Sequence, residues 1–243
     1  MMPADPGPLD LLPGTVDLWH IHIEPPQEKI LAARTLLSPD ELERAARFHF
    51  DIHRSRYIAG RAALRGILAQ YLGVSAQTLA FVYGEKGKPA LAPQVNTRRL
   101  EFNLSHSHDR ALLGITTGSV IGVDIERINL EFGTDQIATH FFSAGEVDTL
   151  LAVPKTERGA TFFDCWTRKE AYIKAVGEGL SLPLDSFDVA FGPEVEAALL
   201  RVEAAPDAPS RWRMYDIPAP PGYAAAIAVE GTDHKLRQRE WEW

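Results

Sequence analysis

Ser143-Ala144-Gly145-Glu146 stands ahead of a long helical stretch, Thr156–Val176, that Gly177 closes, and the same order occurs earlier as Ser38-Pro39-Asp40-Glu41, Asp51–Leu72 and Gly73. In each tetrapeptide the serine hydroxyl can accept from the N–H three residues on, while the glutamate reaches back to the serine's own N–H. Both therefore read as capping boxes that open helices, the first reinforced by Pro39 at the first helical position. Glycine suits the left-handed backbone that ends a helix. The long stretches also share a rhyme, Arg56-Tyr57-Ile58-Ala59-Gly60 against Ala171-Tyr172-Ile173-Lys174-Ala175. Apolar alternation predicts strands around both: Thr15–Ile23, with Trp19, Ile21 and Ile23 on one side, then Leu79–Tyr83, Arg99–Asn103, Ala111–Thr116 and Val120–Arg127. In the second half, strands are expected at Ser186–Phe191, Ala197–Glu203, Arg211–Ile217 and Tyr223–Val229. The pattern predicts an α+β fold built from a duplicated unit. A boundary near Thr117-Gly118-Ser119 gives an N-terminal lobe over 1–118 and a C-terminal lobe over 119–243.

The 243 residues suit one domain of upper-middle size or two lobes, and 45% hydrophobic with 24% charged residues excludes disordered, collagenous and fibrous chains. A single cysteine, Cys165, makes neither an internal disulfide nor a Cys-based zinc site, and in a long helix it reads as buried packing. The uncharged runs Ala111–Val123 and Ile217–Val229 are too short for a membrane helix. The opening MMPADPGPLDLLPG lacks the basic start and apolar core of a signal peptide. A cytoplasmic protein without membrane contact is expected. The net charge of −8 argues against nucleic-acid binding, which needs a basic face. Residues 1–119 hold 13 Lys/Arg against 12 Asp/Glu, and residues 120–243 hold 12 against 21. One half could supply cations to an anionic ligand and the other carboxylates to a metal, although solvated charges also scatter unevenly by chance.

Four constellations could carry chemistry. In Gly122-Val123-Asp124-Ile125-Glu126, alternation on a strand puts Asp124 and Glu126 on one face, roughly 6.6 Å apart along the axis. An oxygen-only set suits Mg²⁺ or Mn²⁺; the plain reading is an edge strand with a solvated acidic face. In Trp166-Thr167-Arg168-Lys169-Glu170-Ala171-Tyr172-Ile173-Lys174, Glu170 and Lys174 share a helix face, as they would in an ordinary surface salt bridge. Phe102-Asn103-Leu104-Ser105-His106-Ser107 ends a strand in small polar groups, which could cradle a phosphate with freed backbone N–H groups or merely form a turn. Adjacent residues point to opposite faces, so Ser105-His106 makes a poor nucleophile–base pair. Finally, Arg44, Arg47, Arg54, Arg56, Arg61 and Arg65 crowd a short span in which only Asp51 opposes them, and most are expected to be solvated. Lys86 and Lys88 flank Gly87 in a turn that would project them towards a ligand.

Taken in order, G-K-P, F-N-L-S-H-S, G-V-D-I-E and W-T-R-K-E-A-Y-I-K-A-V-G-E-G-L closely resemble the signature of the Sfp-type (surfactin-synthetase-activating) 4′-phosphopantetheinyl transferases, with the resemblance spanning roughly Ser38 to Phe191. It implies a pseudo-dimer of two α+β lobes with coenzyme A in the cleft between them. The implied reaction transfers the 4′-phosphopantetheine arm to a serine of an apo acyl or peptidyl carrier protein, of fatty-acid, polyketide or non-ribosomal peptide synthesis, and releases 3′,5′-ADP. Asp124, Glu126 and Glu170 match the metal ligands for Mg²⁺ or Mn²⁺, and Lys174 matches the lysine at the reacting phosphates. Glu170 and Lys174 are thus the catalytic pair. Coenzyme A contacts are expected from Arg44, Lys86, Lys88, Asn103, Ser105, His106 and Lys174, and less directly from Arg56. Asp40-Glu41 fills a stretch where some relatives carry lysine. A monomer is expected, docking its carrier through apolar groups near Phe141-Phe142 or the Gly177–Leu180 turn. A Mg²⁺-dependent phosphohydrolase and a non-catalytic binder are the competing readings; the latter would be expected to lack an acid or Lys174.

Overall fold

The computed structural model describes residues 9–130 and 133–243. Residues 1–8 lie outside that description, as does the side chain of Leu180. The fold is mixed α/β. One sheet has the order β11 (Lys235–Trp241), β1 (Thr15–His22), β5 (Arg110–Thr117), β4 (Leu100–Ser107). A second has the order β6 (Ile121–Arg127), β10 (Tyr223–Glu230), β9 (Trp212–Asp216). Two short hairpins complete the strands: β2 (Phe81–Tyr83) with β3 (Pro89–Leu91), and β7 (Phe187–Ala190) with β8 (Ala198–Val202).

Alternation along the strands divides the apolar residues among three cores. Trp19, Ile21, Leu113 and Ile115 pack with Ile58, Leu64 and Leu68 of helix α3 (Asp51–Leu72). The opposite faces of β1 and β5, carrying Val16, Leu18 and Leu112, pack against Ile121, Val123 and Ile125 of β6. The far side of the second sheet, with Met214, Ala226 and Ala228, takes Phe162, Tyr172 and Ile173 of helix α6 (Arg158–Val176). The layers therefore run α3, first sheet, second sheet, α6, and the edge strands β4 and β6 lie side by side.

The expected helix ends are present. The N–H of Ser38 donates to Glu41 at 3.1 Å ahead of α2 (Pro39–Ala46), and that of Ser143 donates to Glu146 at 3.1 Å ahead of α5 (Ala144–Ala152). Gly73 and Gly177, at φ 66° and 83°, end α3 and α6 in left-handed backbone. Helices α1 (Gln27–Ala33), α4 (Thr134–Phe141) and α7 (Ala208–Arg211) are additions to the sequence reading. No helix among the described residues is long and apolar enough to cross a membrane.

Three expectations need correction. Strand β4 does not stop at Asn103 but continues to Ser107, because His106 and Ser107 pair with Ala111 and Arg110 across a tight turn in which His108 takes φ 56°. This stretch is thus one arm of a hairpin, with β4 at the edge of its sheet. Strand β11 returns from the C-terminal half to pair in parallel with β1, so residues 235–241 join the first sheet. There Arg237 and Arg239 reach the wholly buried Asp17 at 2.5 and 2.8 Å. Half of the arginine cluster is also paired by carboxylates distant in sequence, while Arg47 and Arg54 pair with Glu43 and Asp51 nearby. Glu41 accepts from Arg61 and, at 2.6 Å, from the buried Arg65, while Glu24 accepts from Arg56 at 2.5 Å.

Candidate active site

Gly122 sets the geometry. A Cβ at this position would lie 2.1 Å from the carbonyl oxygen of Ala171 and 2.3 Å from the amide nitrogen of Ala175. The missing side chain lets the backbone of α6 close directly onto β6, and residues 170 and 174, one turn apart, come over Asp124. The Lys174 ammonium donates to Asp124 Oδ1 at 2.5 Å and to Ser105 Oγ at 2.8 Å. The Ser105 hydroxyl donates in turn to the same Oδ1 at 2.8 Å. Asp124 is completely buried, and its Oδ2 has no hydrogen-bond partner. An unsatisfied carboxylate oxygen in a dry site is expensive, which marks the place where a cation would be held.

Alternation on β4 aims Asn103, Ser105 and Ser107 at β6. Ser107 donates to Glu126 at 2.7 Å, while Asn103 Oδ1 accepts from the N–H of Val123 at 2.9 Å. Asn103, expected to touch coenzyme A, thus has its oxygen engaged in joining the two edge strands. Burial pushes the Glu126 carboxyl above the ordinary carboxylate range; Asp124 and Glu170 add to the rise, and the Ser107 hydrogen bond and Lys174 oppose it. Burial also raises Glu170, with Lys174 opposing and Asp124 adding. No group of three or more His, Cys, Asp or Glu among the described residues is gathered closely enough to hold an ion by itself.

On the other side of β4, His106 opens into a cavity of about 290 Å³ that Arg44, Arg56, Tyr57, Arg61 and Gly87 also line. The surrounding protein holds the His106 imidazole below its ordinary range, and Lys174 and Arg56 lower it further. Arg44 lies 5.7 Å from the centre of the Tyr57 ring, and Arg61 4.6 Å from that of Phe81. The sequence reading did not single out Arg61, Tyr57 or Tyr83 as lining residues. The i, i+4 spacing of Tyr57 and Arg61 on α3 was the signal available.

The two turn lysines part company. Lys86 is exposed. Lys88 does not line the cavity: its ammonium donates to the carbonyls of Ala175 at 2.8 Å and Ile121 at 3.1 Å, and burial lowers it to about 8, with Glu101 opposing. Cys165 is buried with its thiol pushed upward by burial, so it is packing and no nucleophile. Phe142 is in the core, stacked on Phe162, while Phe141 is exposed.

Two family models match the chain: "4′-phosphopantetheinyl transferase, N-terminal" over residues 22–117 and "4′-phosphopantetheinyl transferase superfamily" over residues 120–228. The chain is 37% identical to the 4′-phosphopantetheinyl transferase HetI of Nostoc sp., over 95% of this chain and 93% of that one. It is 30% identical to the 4′-phosphopantetheinyl transferase Sfp of Bacillus subtilis, over 89% of this chain and 93% of that one. Among solved structures, the Chronobacterium ammoniagenes ACPS-CoA complex aligns with a TM-score of 0.35 and 18% identity, covering 47% of this chain and 98% of that one.

Proposed function

We propose a function from one premise: the chain belongs to the 4′-phosphopantetheinyl transferase superfamily. It transfers the 4′-phosphopantetheine arm of coenzyme A to a serine of a carrier protein, with 3′,5′-ADP as the other product. The observation that carries the assignment of the site is Asp124, wholly buried, with one oxygen held by Lys174 and Ser105 and the other without a partner.

The donor set fits a hard divalent cation, Mg²⁺ or Mn²⁺, which Asp124, Glu126 and Glu170 would hold. When bound, such an ion neutralises charge that builds on the pyrophosphate oxygens in the transition state. The protein's own groups do the rest. Lys174 supplies a positive charge from the C-terminal turn of α6 to the oxygens of the reacting phosphate. The carrier serine hydroxyl attacks the β-phosphate in line as 3′,5′-ADP departs. Glu170, whose carboxyl burial raises above its ordinary range, takes the serine proton directly or through water. His106, Arg44, Arg56 and Arg61 around the cavity receive the nucleotide end and its phosphates, with Ser105 holding Asp124 and Lys174 in register.

In this reading the molecule is a pseudo-dimer of lobes 1–118 and 119–243 with coenzyme A in the cleft between them. The matching series of capping box, long helix and left-handed glycine in each half supports it. Strand β11 is then a strap from the second lobe to the first. The enzyme acts as a cytoplasmic monomer on acyl or peptidyl carriers of fatty-acid, polyketide or non-ribosomal peptide synthesis, and the exposed Phe141 serves docking. Incubation with Mg²⁺, coenzyme A and a panel of apo carriers, each then weighed, tests the assignment. Carriers should gain the arm, excess EDTA should abolish the gain, and coenzyme A consumption without any modified carrier would show a phosphohydrolase instead.

A further inference from the structure

We propose that Lys88 is a positioning residue that sets the distance between α6 and β6, and so the reach of Lys174 to Asp124; this rests on the transferase reading above. The β2–β3 turn comes from the first half of the chain, yet its lysine ends on the second. Its ammonium bridges the carbonyl of Ala175, next to Lys174 in the last turn of α6, and the carbonyl of Ile121, three residues before Asp124 on β6. The Lys88 stem runs beside Gly177, where an added Cβ would stand 3.4 Å from its Cδ. A lysine here meets the negative end of the α6 dipole and satisfies a C-terminal carbonyl that has no partner within the helix.

The geometry explains why one contact matters. At Gly122 the helix and strand backbones are already in contact. Nothing between them can take up slack, so the Lys88 bridge holds the pair closed at one end while Lys174–Asp124 spans it at the other. Releasing Lys88 lets the last turn of α6, and with it Lys174, lift from the strand.

The test separates positioning from ligand contact. Lys88→Met keeps the apolar stem and removes the donors. Its kcat at saturating coenzyme A should fall about 10-fold or more, with KM for coenzyme A within about twofold of the parent, and Lys88→Arg should recover part of the loss. Hydrogen exchange followed by mass spectrometry should show faster exchange in Lys88→Met for peptides spanning 170–179, with α3 unchanged. A rise in KM for coenzyme A with kcat preserved would make Lys88 a ligand contact and overturn the proposal, as would unchanged exchange at 170–179. The exchange arm needs no substrate. If the parent protein failed to modify any carrier, the transferase reading would fall while the role of Lys88 in closing α6 onto β6 would still be decided.

Discussion

Gly122→Ala is the sharpest test of how the site is built. The added methyl would lie 2.1 Å from the Ala171 oxygen, 2.3 Å from the Ala175 nitrogen and 2.8 Å from the Ala175 Cα. All three are backbone atoms of α6, so no rotamer change relieves the clash. A carbon–oxygen contact wants about 3.3 Å, which requires the helix to retreat by ~1.2 Å or the strand to buckle by as much. Overpacking of this kind costs about 1–3 kcal/mol, and backbone opponents place it at the upper end. At ~2–4 °C per kcal/mol for a chain of this size, Tm should drop by about 6–12 °C. The same retreat carries Lys174 and Glu170 away from Asp124, and a displacement of about 1 Å at a reacting centre is worth roughly 100-fold in rate. Thermal unfolding followed by circular dichroism reads the first number, and mass-spectrometric transfer to an apo carrier reads the second. Gly145→Ala is the control: nothing lies within 4 Å of its Cβ, and in the first turn of α5 it should leave both readouts at or slightly above the parent. A Gly122→Ala protein with Tm within 2 °C and activity within threefold of the parent would refute the claim that close backbone approach builds the site.

Three further outcomes are expected. Glu126 and Glu170 have carboxyls raised in the folded state, so their stabilisation is present at low pH and is lost as pH rises through the folded values. Without a divalent cation, Glu170→Gln should therefore raise Tm at pH 7 by a few degrees, and with Mg²⁺ present it should abolish transfer; a lower Tm would contradict the assignment. His106→Ala should raise KM for coenzyme A about 10-fold with a small effect on kcat, and Lys174→Met should show the opposite split in steady-state kinetics. The Arg237→Met, Arg239→Met double variant leaves the buried Asp17 without its cations, which costs about 3 kcal/mol and lowers Tm by ~6–12 °C in thermal unfolding.

Much of the fold was legible because its signals are local. The span of α3 was readable to the residue from its periodicity and from Gly73, and the glycine that closes α6 was equally plain. What escaped depends on distant partners. Strand β11 presents Lys-Leu-Arg-Gln-Arg-Glu-Trp, whose outer face is charged, and only Asp17 on a strand more than two hundred residues away gives those arginines a purpose. Solvated arginines were a fair expectation for α3 by composition, but Glu41 and Glu24 lie outside that helix and neutralise three of them. The pairing of Asp124 with Glu126 on one strand face, and of Glu170 with Lys174 on one helix turn, could be read from spacing. Their meeting with Ser105 could not, since it requires the edges of two sheets to run together. Nor could spacing tell that the Lys88 ammonium would reach the carbonyls of Ile121 and Ala175, far from it in sequence.

The charges at this seam explain why the chemistry is ordered as it is. Asp124, Glu126 and Glu170 share the Lys174 ammonium, with neutral serines as further donors to Asp124 and Glu126. The local balance is negative, and a pyrophosphate entering alone would be repelled. The upward displacement of Glu126 and Glu170 records the strain of keeping these acids together out of water. Under the proposed function, a divalent cation held by Asp124, Glu126 and Glu170 would relieve the repulsion among the carboxylates, and Lys174, which pairs with Asp124, would be free to meet the phosphate. The acids that are costly to keep together would then be the ones that select a metal-bound polyanion under the proposed function, and cation and coenzyme A should each tighten the binding of the other.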